Sequence, residues 1–227
     1  MKHLTLATIT VALSVALVGC GSNHKSSNQT STPTSTSTST SKSTTSSATS
    51  AAPAAGAKYT IADYVKDNHI TETPVHRGDP GSPTINLPVP AGWQVSDNVN
   101  TSYGGIALSQ PANPADPPVI SAMVAKLTGN VDPAKILQYA PGELQNLPGY
   151  QGSGDGSAST LSGFQAWQLG GTYQKDGQAR SVAQKTVVIP SQDGVFVLQL
   201  NANSLESDQG VLMDATNVID EQTTISA

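Results

Sequence analysis

The sequence Gln174-Lys175-Asp176-Gly177-Gln178 separates two long segments in which apolar and polar residues alternate. Asp-Gly is typical of the two-residue turn of a β-hairpin, because both turn positions need positive φ angles that Asp and Gly tolerate. Residues 164–175 and 178–189 are therefore predicted to be the two strands of a hairpin.

A third strand is predicted directly after this hairpin. The turn Gln192-Asp193-Gly194 leads into residues 195–202, where Phe196, Leu198 and Leu200 alternate with less uniformly apolar neighbours. Alternation with period two places one set of side chains on each face of a sheet. The three strands together predict an antiparallel meander, with Leu198 pointing into the core.

Helical patterns lie on both sides of the strands along the chain. Thr60, with Asp63 three residues later, predicts the start of a first helix that ends near Asn68. Asp132-Pro133 predicts a second helix, in which Pro141 causes a kink or begins a separate short helix. A last helix is indicated by apolar residues on one face, namely Val211, Leu212, Ala215, Val218 and Ile219.

The remaining segments complete a single predicted domain, residues 58–227. Short strands are predicted near residues 84–87, 103–109 and 119–127. Residues 71–83 and 111–118 are predicted loops because they are rich in Pro, and residues 149–163 a loop or irregular edge strand because they are rich in Gly and Ser. This order of elements predicts an α+β fold, a layered sandwich around a mainly antiparallel sheet.

The N-terminal segment has the features of a secretory signal. A basic start is followed by an apolar run that is shorter than the ~20 residues of a membrane-spanning helix. Leu17-Val18-Gly19-Cys20 resembles the lipobox of bacterial lipoproteins, in which the Cys is acylated and the chain is cut before it. We therefore predict a signal peptide at 1–19 and lipidation of Cys20, the only Cys of the chain. The alternatives are an ordinary secretory signal and an uncleaved anchor.

Residues 20–57 are predicted to be a tether between the lipid and the domain. Between Ser26 and Ser50, twenty of the twenty-five residues are Ser or Thr. Such a segment buries too little apolar surface to offset the entropy lost on ordering. Its composition is also typical of O-glycosylated stalks, so a bare spacer and a glycosylated one are both left open.

The charge of the predicted domain excludes some classes of partner. Eight Lys and Arg face sixteen Asp and Glu in residues 58–227, a net charge of −8. This excess of negative charge argues against nucleic acid and against anionic lipid surfaces as partners of the domain. We expect a monomer.

The sequence contains no recognisable catalytic or metal-binding motif. The two His of the domain, His69 and His76, lack the spacing of a zinc site, although a site with Glu72 or Asp79 is an alternative to two solvated loop residues. Gly152-Ser153-Gly154-Asp155-Gly156 has the composition of a phosphate loop, but no Lys follows it, which favours a plain flexible loop. We predict no catalytic residue, no metal and no cofactor.

Aromatic residues are the remaining candidates for a binding site. Trp93, Tyr103 and Trp167 each combine apolar area with a polar atom, which suits a sugar or an amphiphile. The alternative is that they pack in the core. We single out these three as candidate ligand-binding residues in a pocket or groove of the sandwich.

Several segments together resemble the LpqN lipoprotein family of mycobacteria. The resemblance covers residues 58–227 and is carried by Tyr59-Thr60-Ile61-Ala62-Asp63-Tyr64, Leu87-Pro88-Val89-Pro90-Ala91-Gly92-Trp93, Tyr139-Ala140-Pro141-Gly142-Glu143-Leu144 and Val182-Ala183-Gln184-Lys185-Thr186-Val187. It implies a fold similar to the Mog1/PsbP-like α/β/α sandwich around the mainly antiparallel sheet and a non-enzymatic binding or interaction module of the cell envelope. It carries over no catalytic motif.

These observations predict a protein held at the extracytoplasmic face of the cell membrane by acyl chains on Cys20. Exposure at the cell surface and shedding are left open. The expected partner is an envelope protein, such as lipid-export machinery, or an envelope glycolipid. A surface effector that binds a host protein and a hydrolase or transferase acting on envelope glycolipids are the alternatives.

Overall fold

The computed structural model describes residues 56–99 and 101–227, which contain eleven strands and four α-helices. The strands are β1 (Thr71–Val75), β2 (Thr84–Asn86), β3 (Trp93–Val95), β4 (Gly104–Leu108), β5 (Val119–Thr128), β6 (Gln151–Gly152), β7 (Ser157–Leu161), β8 (Phe164–Lys175), β9 (Gln178–Ser191), β10 (Gly194–Leu205) and β11 (Thr224–Ser226). The helices are α1 (Ile61–Asp67), α2 (Pro133–Tyr139), α3 (Pro141–Gln145) and α4 (Gln209–Gln222), the last preceded by a 3₁₀ turn at Glu206–Asp208.

The predicted signal peptide, Cys20 and the tether up to residue 55 lie outside the described residues. None of the helices that the structure describes is long and apolar enough to cross a membrane.

The meander predicted from the sequence lies at the centre of the main sheet. β8, β9 and β10 pair antiparallel, and Asp176 and Gly177 both have positive φ, at 52° and 76°. These angles are those of the mirror-image turn that matches the twist of a hairpin. The full order is β3-β4-β5-β10-β9-β8-β6, while β1 also pairs with β5 and β7 with β8. A separate two-stranded sheet joins β2 to β11.

The two faces of the main sheet carry two different sets of helices. Even-numbered residues of β10, such as Leu198, pack in a core cluster with Leu212, Ala215 and Ile219 of α4 and with Ile85 and Ile225 of the small sheet. The odd-numbered Val195 and Val197 pack instead with residues of α1 and α2, among them Ile61 and Ile136. Helices therefore cover both faces, which confirms the predicted α+β fold around a mainly antiparallel sheet.

One local prediction is wrong, and two that left alternatives open are decided by the structure. Residues 71–83, predicted to be a loop, contain β1, which pairs with the C-terminal half of β5 although it includes Pro74. Residues 149–163 contain two short strands, β6 and β7, at the edge of the sheet. Pro141 begins a separate helix, α3, which decides between the two alternatives. Pairing with a neighbouring strand supplied the backbone partners that the local composition did not predict.

Candidate functional site

A cavity of about 630 Å³ lies between α4 and the main sheet and is called the α4 cavity here. Its floor includes a row of residues with very small or no side chains, Gly170, Ala183 and Ala202. These three are direct partners across β8, β9 and β10, so they form a row on one face of the sheet. Because the row has no long side chains, α4 cannot fill the space above it, and Leu212 and Met213 become cavity walls.

An ion pair closes one side of the α4 cavity. Lys185 Nζ of β9 lies 2.6 Å from Asp220 Oδ2 of α4 and 3.2 Å from Ser159 Oγ of β7. The Lys185 side chain is 9% exposed and that of Asp220 is 37% exposed. A buried ammonium needs such partners, because an unpaired charge away from water is costly. The pair thus links the helix to the sheet at the edge of the cavity.

Ser181 contributes an unsatisfied hydroxyl to the α4 cavity. It lies on β9 on the same face as Ala183, is 3% exposed and is one of the lining residues. Among the residues that the structure describes, none forms a hydrogen bond with its Oγ. A buried polar group without a partner costs about 1–3 kcal/mol. The hydroxyl is therefore available to a polar group of a molecule that enters the cavity.

The connection between β6 and β7 forms another wall. Gly152, Ser153, Gly156 and Ser157 line the cavity. The indole Nε1 of Trp167 donates a hydrogen bond to the carbonyl of Asp155 at 2.7 Å, which holds this loop against β8. Gly156 has a φ of +85°, and a Cβ there would lie 2.3 Å from the carbonyl oxygen of Gln168. Glycine at position 156 therefore allows the loop to lie close to the sheet. The Gly-rich segment is followed by a strand, β7, whereas a phosphate loop is followed by a helix.

Comparison with known proteins identifies the family. The family model described as "Probable lipoprotein LpqN" matches residues 57–226, nearly the whole described part of the chain. The chain belongs to the LpqN lipoprotein family. The chain is 67% identical to Lipoprotein LpqN of Mycobacterium tuberculosis (strain ATCC 25618 / H37Rv) over 227 residues, which is 100% of both chains.

A solved structure of an LpqN family member also resembles this chain. That crystal structure is of LpqN "involved in cell envelope biogenesis of Mycobacterium tuberculosis", with a TM-score of 0.73 and 67% identity. The match covers 76% of this chain and 100% of that chain, so the counterpart of the described domain is a folded unit by itself. The Mog1/PsbP-like comparison stays a resemblance.

In this LpqN family member, the three aromatic residues singled out from the sequence are not brought together. Trp93 and Tyr103 are 7% and 4% exposed and belong to the core cluster under α4. The Tyr103 hydroxyl accepts a hydrogen bond from the Ile85 backbone, and Arg77 stacks on its ring. Trp167 packs in the cluster on the other face of the sheet. None of the three is among the described residues that line the α4 cavity, and their role in ligand binding stays a prediction.

The residues considered for metal binding and catalysis lie apart from the α4 cavity. His76 Nδ1 lies 3.6 Å from Asp79 Oδ2 on an exposed loop, and residues 56–99 and 101–227 contain no group of three metal-ligating side chains.

Hydrogen bonds from Thr60 hold the pKa of Asp63 below its usual range, at the start of α1. Hydrogen bonds from Arg180 do the same for the pKa of Asp116. Both carboxylates therefore have structural partners.

Sequence reasoning missed the residues that form the floor of the α4 cavity. Gly170, Ala183 and Ala202 are ordinary strand residues when each is considered alone. The available signal was the coincidence of small residues at positions of equal phase on three consecutive strands. Recognising this coincidence requires the register of the β8–β9 pair and that of the β9–β10 pair. The turn at Asp176-Gly177 fixes only the register of β8 against β9.

Proposed function

We propose that this lipoprotein is a non-enzymatic module of the cell envelope that binds an amphiphile, such as an envelope glycolipid, in the α4 cavity. The observation that carries the proposal is the row of small residues under α4, which leaves about 630 Å³ unfilled. Pockets for small molecules usually measure about 300–1,000 Å³. One water molecule takes about 30 Å³ of liquid volume, so the cavity has room for about twenty groups of that size.

The composition of the cavity supports an amphiphile rather than a fully polar ligand. Leu200, Leu212 and Ile219 provide apolar walls, while Ser181 and the Lys185–Asp220 pair provide polar groups. An alkyl segment gains about 25 cal/mol for each Å² of apolar surface that it buries against such walls. A hydroxyl-bearing head group supplies the partner that the Ser181 hydroxyl lacks. Involvement of an LpqN relative in cell envelope biogenesis is consistent with this role.

Lipidation of Cys20 would place the cavity near its ligand. An anchor of two or more acyl chains holds a protein at a membrane, whereas one chain binds only marginally. Replacing Cys20 by Ala in the full chain should move the protein from the membrane fraction to the soluble fraction. A Cys20→Ala protein that stays in the membrane fraction would contradict the assignment of the anchor.

Native mass spectrometry tests the binding role. The domain from residue 56 onward, incubated with an envelope lipid extract, should retain a species of lipid mass, and Ala183→Leu should abolish it by filling the floor of the cavity. Ala179→Leu is the matched control, because Ala179 lies on the same strand and outside the lining. Retention by Ala183→Leu equal to that of the control would refute the assignment to the α4 cavity.

The same experiment separates the alternatives. A retained lipid whose mass decreases with time through loss of an acyl chain would indicate a hydrolase or transferase. A domain that retains nothing would favour an envelope or host protein as the partner, and cross-linking on intact cells would then identify it. For a host-facing role, the exposed apolar side chains of Val89, Val95 and Met213 are the first to substitute.

A further inference from the structure

A second cavity, of about 380 Å³, lies on the opposite face of the main sheet and is called the α1 groove here. Its walls are mostly apolar and come from Val65 of α1, Pro74 of β1 and Met123 of β5. Glu143 of α3 forms one end. The α1 groove has no lining residue in common with the α4 cavity and is therefore a separate site, although Gln184, which lines that cavity, also donates a hydrogen bond to Glu143.

Glu143 is held in a fixed orientation by the sheet below it. Its Oε2 atom accepts hydrogen bonds from Gln184 Nε2 at 2.8 Å and from Gln199 Nε2 at 3.0 Å. Gln184, itself 6% exposed, also donates to Asn201 Oδ1 at 2.9 Å. The backbone of α3 is fixed as well, since a Cβ at Gly142 would lie 2.2 Å from the carbonyl oxygen of Tyr59. The carboxylate is therefore preorganised before any ligand arrives.

The other carboxylate oxygen of Glu143 is left for an incoming donor. Both amide donors reach Oε2, and no described residue donates to Oε1. The lining of the groove includes a second carboxylate, the exposed Glu72, but no Lys, Arg or His from the described chain. A half-buried carboxylate with neutral amide partners on one side is complementary to a positive charge on the other.

The geometry favours an ammonium group over other cations. A metal ion such as Ca²⁺ takes six to eight oxygen ligands, and no group of three ligating side chains exists in residues 56–99 and 101–227. A guanidinium prefers both oxygens of a carboxylate, but Oε2 already accepts two hydrogen bonds. An ammonium is a compact charge that needs only one acceptor oxygen.

We propose that the α1 groove binds a small amphiphilic amine, whose ammonium group donates to Oε1 of Glu143 and whose apolar body lies against Val65, Pro74 and Met123. The charge of the held carboxylate selects the ammonium, and the apolar walls select a short hydrocarbon. Met123 is the direct cross-strand partner of Gln199, so the apolar wall and an amide that holds Glu143 are adjacent on the sheet.

Hexylamine, with 1-hexanol as the uncharged analogue of equal heavy-atom count, is the probe for this site. In an NMR titration of the labelled domain from residue 56 onward, hexylamine should shift the side-chain amide signals of Gln199 and the methyl signal of Met123, two residues that line the α1 groove and not the α4 cavity. Its affinity should exceed that of 1-hexanol by about tenfold or more, as expected for a hydrogen bond to a charged group. Equal affinities for the two probes would overturn the proposal.

Two substitutions distinguish binding to the Glu143 carboxylate from attraction by the overall negative charge of the groove. Glu143→Gln keeps an acceptor for both amides and should weaken hexylamine binding by about tenfold. Glu72→Gln removes an equal charge from the exposed rim and should change the affinity by less than about threefold. If Glu72→Gln weakens hexylamine binding as much as Glu143→Gln does, the amine is attracted by the overall negative charge and not by a contact with Glu143. That result would refute the proposed site.

A third variant keeps the test decisive if Glu143→Gln does not fold. Met123→Lys leaves Glu143 and its amides intact and introduces an ammonium group beside them on a strand residue that is 38% exposed. The new side chain should occupy Oε1 and abolish the shifts that hexylamine causes at Gln199. Unchanged hexylamine binding by a folded Met123→Lys domain would overturn the proposal.

Discussion

Replacing Leu198 by Ala should cost about 3.5 kcal/mol of the free energy of unfolding. Leu198 is 0% exposed, and its direct partners on the neighbouring strands, Val187 and Val124, are 0% and 1% exposed. The change removes three carbon groups, which at about 0.8 kcal/mol each gives roughly 2.4 kcal/mol for loss of burial. The remainder comes from the cavity left behind, because β10 is hydrogen-bonded on both sides and cannot collapse into it.

Urea denaturation of the domain from residue 56 onward measures this effect. The midpoint should fall while the dependence on urea concentration stays the same, since the surface exposed on unfolding hardly changes. Leu205→Ala is the matched control, because Leu205 ends the same strand and is only half-buried. We expect a loss of about 1 kcal/mol there. If both variants lose the same stability, the phase of β10 and the location of the core are wrong.

Three further substitutions test how the fold is held together. Gly142→Ala should destabilise the domain by about 1–3 kcal/mol, because its Cβ would meet the Tyr59 carbonyl oxygen, whereas Gly210→Ala has open space and should stabilise α4 by about 0.5 kcal/mol in thermal melts. Asp116→Asn should destabilise by about 2 kcal/mol at pH 7, because Arg180 stays buried without its charged partner. The pKa of Asp116 is lowered in the folded state, so this contribution is present above its unfolded pKa and is lost as the pH falls through the folded value. The difference between the melts of the two proteins should therefore begin to shrink below about pH 4 and vanish below the folded pKa of Asp116, and a constant difference would contradict the ion pair's role.

The candidate sites were less predictable than the fold, and the reason is the distance along the chain between their members. Glu143 meets Gln184 and Gln199 across separations of 41 and 56 residues. Lys185 and Asp220 are 35 residues apart. Each of these side chains has an ordinary local context, so no motif marks it. Trp167 is a candidate from the sequence because it combines apolar area with a polar atom, yet the structure uses its indole nitrogen to hold a loop rather than to line the α4 cavity.

The sequence by itself determined the elements whose cause is local. Alternation with period two, the Asp176-Gly177 turn, the cap at Thr60 and the Pro at the start of α2 all act within a few residues, and the structure agrees with each of them. The tertiary structure alone decided the position of β1 beside β5 and the row formed by Gly170, Ala183 and Ala202. Register between strands and the face on which a helix packs depend on contacts between distant residues, and those contacts exist only once the chain has folded.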